Sequence, residues 1–260
     1  MGCNVSKAPP APVSAVPPAA EAAKPAAAPA AAEPGAKPVP QIFAIMRNGH
    51  EVIRGAMRDC TALLDKDDME GYLKRYAEFM KWMNVHAEME DGKEGIAPGF
   101  FFLLNEKFDN IAKPLQDAHG KLHEVETKLE SAHEKKDLAE IKAAWKEFAE
   151  FNEQHLLEEE KIMMPKIGAL KEAGENMREL FNKFLFPLAT QSPDVAFFMT
   201  FAMQVLEVHH ENQPRCRVFA HAVQFASTPE EWAKFHPLIK EGLSPDLYQK
   251  ISTECGWSKE

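Results

Sequence analysis

From Gln41 onward the apolar residues recur every three or four positions, the period of a helix with one buried face. Sustained alternation and Asn-Gly or Asp-Gly hairpin signals are missing, so no strand is predicted. Helices are predicted over about 41–64, 68–91, 110–132 and 137–163. Met46, His50, Ile53, Met57, Cys60 and Leu64 share one stripe of the first helix. Tyr72, Tyr76, Phe79, Met83, His86 and Glu90 share one in the second, which Asp67 or Asp68 would cap. The third carries Leu115, His119, Leu122, Glu126 and Leu129, with Pro114 in its first turn. The fourth carries Phe148, Phe151, His155 and Ile162, and Pro165 and Gly168 are expected to end or kink it. Phe100 to Leu104 is a short apolar run suited to capping the open end of a bundle. Shorter helices follow over 175–252. One starts at the capping box Thr228-Pro-Glu-Glu231, another at Ser244-Pro-Asp, and Phe197, Phe201, Val205 and Val208 read as core.

The N-terminus is organised differently. Residues 8–40 are nearly all Pro and Ala and have nothing to bury, so a disordered, extended linker is predicted. At about 3.1 Å per residue it would reach roughly 100 Å at most. Ahead of it, Gly2 and Ser6 match the N-myristoylation pattern, and Cys3 is placed for palmitoylation. Two acyl chains make an anchor stable where one is marginal. This start resembles those of dual-acylated eukaryotic signalling proteins, which places the expected chain at the cytoplasmic face of a membrane, reached through its N-terminal lipids. The expected divisions are 1–7 as lipidation signal, 8–40 as linker, 41–170 as the main helical domain and 171–260 as a C-terminal helical extension.

Composition removes several classes of partner. The formal net charge is −10 and no basic stripe is present, so nucleic acid is not an expected partner. The four cysteines are scattered, which provides no disulfide framework or thiolate zinc site and fits a reducing compartment. No apolar run has the roughly 18 residues of a membrane span.

The chemistry lies in the phasing of the histidines. Each of the four long predicted helices sets one on its apolar stripe: His50, His86, His119 and His155. Glu90 and Glu159 follow two of these by four residues, about 40° round the helix, and His123 follows His119 likewise. A single such pair reads as a solvated edge, since Glu158, Glu159 and Glu160 form a charge run. Four phased polar sites would make a bundle centre with too little to neutralise its carboxylates, and a metal removes that difficulty. Imidazole and carboxylate suit iron, zinc or manganese. Glu90 and Glu159, from different helices, are placed to bridge two ions.

The set His50, His86-x-x-x-Glu90, His119-x-x-x-His123 and His155-x-x-x-Glu159 resembles the hemerythrin-like, His-His-Glu cation-binding domain. The run from His155 to Pro165 is similar to that family's fourth-helix motif, and the resemblance covers about 41–170. It implies an antiparallel four-helix bundle around a non-haem di-iron centre, with two iron ions as cofactor. The ligands carried over are His50, His86, Glu90, His119, His123, His155 and Glu159. Oxygen-carrying members place the last carboxylate five residues on, which would select Glu160. An ideal helix turns Glu160 about 140° from His155, so Glu159 is preferred.

The function implied is binding or sensing of dioxygen, nitric oxide or iron at a membrane-tethered all-α protein, with no catalytic residue required. Two rivals are an oxidase- or peroxidase-type di-iron enzyme and a lipid-anchored adaptor with a structural metal, its protein partner on the C-terminal helices. A ferritin-like reading would instead use Glu130-x-x-His133 and Glu207-x-x-His210.

Overall fold

The computed structural model describes residues 44–210 and 214–257. Gly2, Cys3 and the 8–40 linker therefore lie outside the described residues. Among the described residues the chain is all-α, with eleven helices and no strand. None of these helices is long and apolar enough to cross a membrane.

Two helical hairpins carry the histidine stripes. The first joins α1 (Ala44–Asp65) to α2 (Met69–Asp91) through three residues. Asp68 caps α2 by accepting a hydrogen bond from the Gly71 N–H at 3.0 Å, which satisfies one donor that the helix leaves open. The second joins α4 (Lys113–Lys135) to α5 (Leu138–Glu172). Lys136 turns the chain in the left-handed region, and Asp137 then accepts from the N–H groups of Ala139 and Glu140. Within each hairpin the two helices pack closely, and α1 also packs on α5, which brings the hairpins together.

A short helix, α3 (Phe100–Lys107), joins the hairpins. The loop before it folds back on the end of α2. Gly99 has φ 85°, and a Cβ there would lie 2.3 Å from the Gly92 nitrogen, so only glycine fits. Phe100, Phe101, Leu103 and Leu104 are buried, as an apolar cap requires.

The remaining helices are α6 (Met177–Phe184), α7 (Phe186–Thr190), α8 (Val195–His209), α9 (Arg215–Ala226), α10 (Pro229–Glu241) and α11 (Pro245–Cys255). Here α8 and α9 pack on α1, and α7 and α8 pack on α2. Their apolar residues join those of the hairpins in one continuous cluster. The capping box at α10 is complete: Glu231 N–H donates to the Thr228 hydroxyl, and Thr228 N–H donates to the Glu231 carboxylate.

Three local expectations are corrected. Pro165 does not end its helix: α5 continues to Glu172. The carbonyl that loses its partner belongs to exposed Lys161, where water can replace the missing N–H. Phe151 and Ile162 sit at the rim of α5, because its inward face is centred on Phe148, Asn152, Glu159 and Met163, about 75–90° away. Val208 is 72% exposed, beside the end of α8.

Candidate metal centre

The inward faces of α1, α2, α4 and α5 bring together His50, His86, Glu90, His119, His155 and Glu159. They form two overlapping groups of four donors, His50–His86–Glu90–Glu159 and Glu90–His119–His155–Glu159. Within each group the donor atoms lie within 4.8 Å of one another. The two carboxylates are common to both groups, and each turns one oxygen to each side. Glu90 Oε1 is 3.3 Å from His86 Nε2 and 3.9 Å from His50 Nε2, while its Oε2 is 3.5 Å from His119 Nε2. Glu159 Oε2 is 3.4 Å from His50 Nε2, while its Oε1 is 2.8 Å from His155 Nε2 and 3.6 Å from His119 Nε2. The α1–α2 hairpin thus supplies two imidazoles to one side, and the α4–α5 hairpin two to the other.

These groups are buried without adequate partners. Glu159 is fully buried and Glu90 is 1% exposed. His50 Nε2, His86 Nε2, Glu90 Oε1 and both Glu159 oxygens make no well-aligned hydrogen bond, even where, as between His155 Nε2 and Glu159 Oε1, the atoms are 2.8 Å apart. A buried, unsatisfied polar atom costs about 1–3 kcal/mol, more when charged. Such a set at one point is what a cation coordinated by nitrogen and oxygen would relieve, so the residues present fit a metal pair.

Without an ion, the imidazoles and carboxylates of the centre set one another's protonation. Burial disfavours the His50 imidazolium, but its hydrogen bond with Glu160, its contact with Glu90 and the charge of Glu159 together raise it to about 9. Burial is likewise outweighed at His119, where Asp91, Glu159 and Glu90 raise it to about 12. Burial pushes the Glu90 carboxyl up, yet the field of His86 and contacts with His119 and His50 hold it well below the usual range. Glu159 is pushed up by burial and by Glu90, and brought down below its usual value by His119 and His155. Protons on the imidazoles therefore balance the carboxylates when no ion does. An ion would displace those protons, because only a neutral imidazole ligates.

A second layer of carboxylates orients the rings. His50 Nδ1 pairs with Glu160 Oε1 at 3.1 Å, and Arg54 donates to the same oxygen at 2.6 Å. His119 Nδ1 pairs with Asp91 Oδ2 at 2.6 Å. With Nδ1 so occupied, Nε2 of each ring faces the centre, the arrangement that metal-ligating histidines use. Glu160 thus stands behind His50 rather than in the donor cluster. On α1, Gly49 lets the His86 ring close in, since a Cβ there would lie 3.3 Å from its Nδ1.

His123 is not in the cluster. Its side chain is 77% exposed and pairs with Glu126 at 3.4 Å. Leu115, Leu122, Val125, Leu129 and Ala132 set the buried face of α4. His119 lies about 90° from the middle of that face and His123 about 130°, so the first reaches inward and the second does not. The ferritin-like alternative is not assembled either. His133 bonds the Tyr72 hydroxyl, and His210 pairs with Glu51 at 3.1 Å.

A cavity of about 180 Å³ lies against the centre between α2, α4 and α5. Met83, Leu122, Phe148 and Leu156 wall it, His86, Glu90, His119 and His155 lie along it, and His123 and Glu126 also border it. Sequence reasoning missed Asn152 here. Its side chain is fully buried, its amide nitrogen contacts the sulfurs of Met57 and Met83 at 3.7 and 3.9 Å, and its oxygen has no partner. Its position one turn before His155 on an apolar face was the available signal.

Compared with protein-family models, with curated proteins and with solved structures, the chain matches none of them.

Proposed function

We propose that the chain is a hemerythrin-like, dinuclear non-haem iron protein that binds or senses dioxygen, nitric oxide or iron. In this reading α1, α2, α4 and α5 form an antiparallel four-helix bundle, and acylation at Gly2 and Cys3 tethers it to the cytoplasmic face of a eukaryotic membrane. The observation that carries the reading is the two-sided presentation of Glu90 and Glu159, each with one oxygen toward either histidine pair.

His50 and His86 would hold one ion, His119 and His155 the other, and the two carboxylates would bridge. The protein would offer each ion two imidazoles and a share of two carboxylates, a donor set that suits iron. Bound iron would supply the change of oxidation state on which reversible binding of a diatomic gas depends. The protein's own part is positional. Glu160 and Asp91 fix the His50 and His119 rings, and Met83, Leu122, Phe148 and Leu156 give the cavity beside the centre an apolar side.

Loading the full chain with ferrous iron under anaerobic conditions should give two irons per chain, and admission of air should produce a visible charge-transfer band. Fewer than one iron per chain with no band would overturn the reading.

The size of the cavity favours a second reading, an oxidase- or peroxidase-type enzyme. At about 180 Å³ it exceeds what a diatomic gas needs, a liquid water taking about 30 Å³. Turnover with hydrogen peroxide and a reductant, abolished in His86→Ala, would favour it.

A further inference from the structure

The far end of the two hairpins holds a second group of reactive side chains. Tyr72 on α2 is fully buried, and its hydroxyl lies 2.9 Å from His133 Nε2 on α4. Tyr76 stacks on Tyr72 at 5.9 Å between ring centroids, and its own hydroxyl is buried without a partner. The Trp145 ring of α5 stands edge-on to Tyr72 at 5.7 Å. Its N–H is fixed by donation to the Thr61 hydroxyl at 2.9 Å. From Trp145 the ring contacts continue to Phe148 at 5.6 Å, and Phe148 lines the cavity beside His86 and His155. Two of the chain's three tyrosines are gathered here.

We propose that Tyr72 and His133 form a proton-coupled redox pair, joined through Trp145 and Phe148 to the His/Glu centre. Tyr72 gives one electron to a one-electron oxidant, its O–H bond breaks, and the proton passes to the lone pair of His133 Nε2. The products are a neutral tyrosyl radical, a His133 imidazolium and the reduced oxidant. The oxidant in the protein is the oxidised metal pair, so this role rests on the function proposed above; the pair itself does not. Its physiological sense is to carry a stray oxidising equivalent about 15 Å along α5, the rise over the ten residues between His155 and Trp145, away from the ligand cavity.

The protonation states suit the step. Burial pushes the Tyr72 hydroxyl above its usual range, so it enters as the phenol and can lose an electron easily only if its proton leaves too. Burial lowers His133, so its imidazole is neutral and can accept that proton within hydrogen-bond reach.

Packing alone would give aromatic contacts and a satisfied hydroxyl, and the molecule contains a control for that reading. Tyr248 makes an equivalent bond to His236 Nε2, also 2.9 Å, within the C-terminal helices. The ring contacts described for Tyr248 itself are with His236 and Trp257, far in sequence from the His/Glu centre.

The test is flash-quench oxidation of the full chain, metal-free, with photogenerated tris(bipyridine)ruthenium(III) and persulfate. It is carried out in the Tyr248→Phe background and read by electron paramagnetic resonance. A tyrosyl signal is expected that Tyr72→Phe abolishes and Tyr76→Phe leaves in place. His133→Leu should cut its yield by about 10²-fold or more, since the positioned base is lost. Tyr72→Phe removes only a hydroxyl, and unchanged circular dichroism would show that it folds. A signal that survives Tyr72→Phe, no tyrosyl signal at all, or an equal yield with and without the His133 imidazole would overturn the pair. In a second arm, air is admitted to the ferrous protein. The same signal should appear, and Trp145→Leu should remove it at unchanged iron content. Because the first arm needs no metal, a radical at Tyr72 in a chain that binds no iron would sink the metal reading and spare the pair. Two irons per chain with no radical at Tyr72 would do the reverse.

Discussion

The His/Glu centre and the C-terminal helices handle buried polarity in opposite ways. In α10 and α11 the helix starts are capped by Thr228 and Ser244, and Trp257 donates its indole N–H to Gln224. The buried residues between them, such as Phe219, Val223 and Ile239, are apolar and nearly inaccessible. At the centre, five donor atoms on His50, His86, Glu90 and Glu159 are buried with no well-aligned hydrogen bond, behind walls just as apolar. Single buried atoms also lack partners elsewhere, such as Asn182 Oδ1 on α6 and the Tyr76 hydroxyl, but among the described residues the centre gathers five in one cluster. A cluster that breaks the pairing rule so locally is where a functional site is expected.

Loss of a shared carboxylate should have the largest effect. Glu90→Ala should abolish binding of both irons, measured by elemental analysis, because both sides of the centre lose a donor. Retention of two irons would show that Glu90 is not a shared ligand. The complementary change lies in the other region. Phe219→Ala should lower stability by about 3–5 kcal/mol in denaturant unfolding, with iron per folded chain unchanged. A loss of iron there would mean that the two regions are not separable.

Asp91→Asn tests the second layer. It leaves the Glu90 and His119 donors in place but weakens the hold on His119 Nδ1, and should lower iron affinity by about 10–100-fold in a chelator competition.

Stability of the metal-free protein should also depend on pH. His50 is raised from 6.5 to about 9 in the folded, metal-free protein. Its contribution to stability is therefore full below pH 6.5 and is lost as pH rises through 9. Melting in chelator should show the midpoint falling over that window, by about 3–5 °C for each pH unit of linkage lost. The loaded protein should resist that fall, since ion binding strengthens as imidazoles deprotonate. Smallest of all, His123→Ala should leave iron content and melting temperature unchanged. A drop in either would return His123 to the donor set.

Much of this was legible in the chain because helices report burial through their period. His50, His86, Glu90, His119, His155 and Glu159 could be picked out by phase alone, and the structure brings these six together. His123 could not be placed by spacing. The 40° between it and His119 matters only once the rotation of α4 is known, and that rotation is set by Leu122, Val125 and Leu129 packing elsewhere. The same blindness to rotation displaced the face of α5 from Asn152 to Phe151. The pairing of His50 with Glu160 and of His119 with Asp91 crosses between elements 110 and 28 residues apart, a link no local pattern encodes. Pro165 shows the opposite limit: a strong local stop signal overridden because the lost bond falls on a wet surface.

The division of the donors between two hairpins has a further consequence. Each hairpin carries two imidazoles and one carboxylate, so neither owns a complete set of four. Seen as cooperative opening units, α1–α2 and α4–α5 are held at this seam by whatever cation lies between their facing carboxylates. Amide exchange along α2 and α5 should slow together when the seam is charge-matched and quicken together when it is not. The centre is then a gauge as well as a site: its occupant, proton or ion, sets how often the two hairpins part.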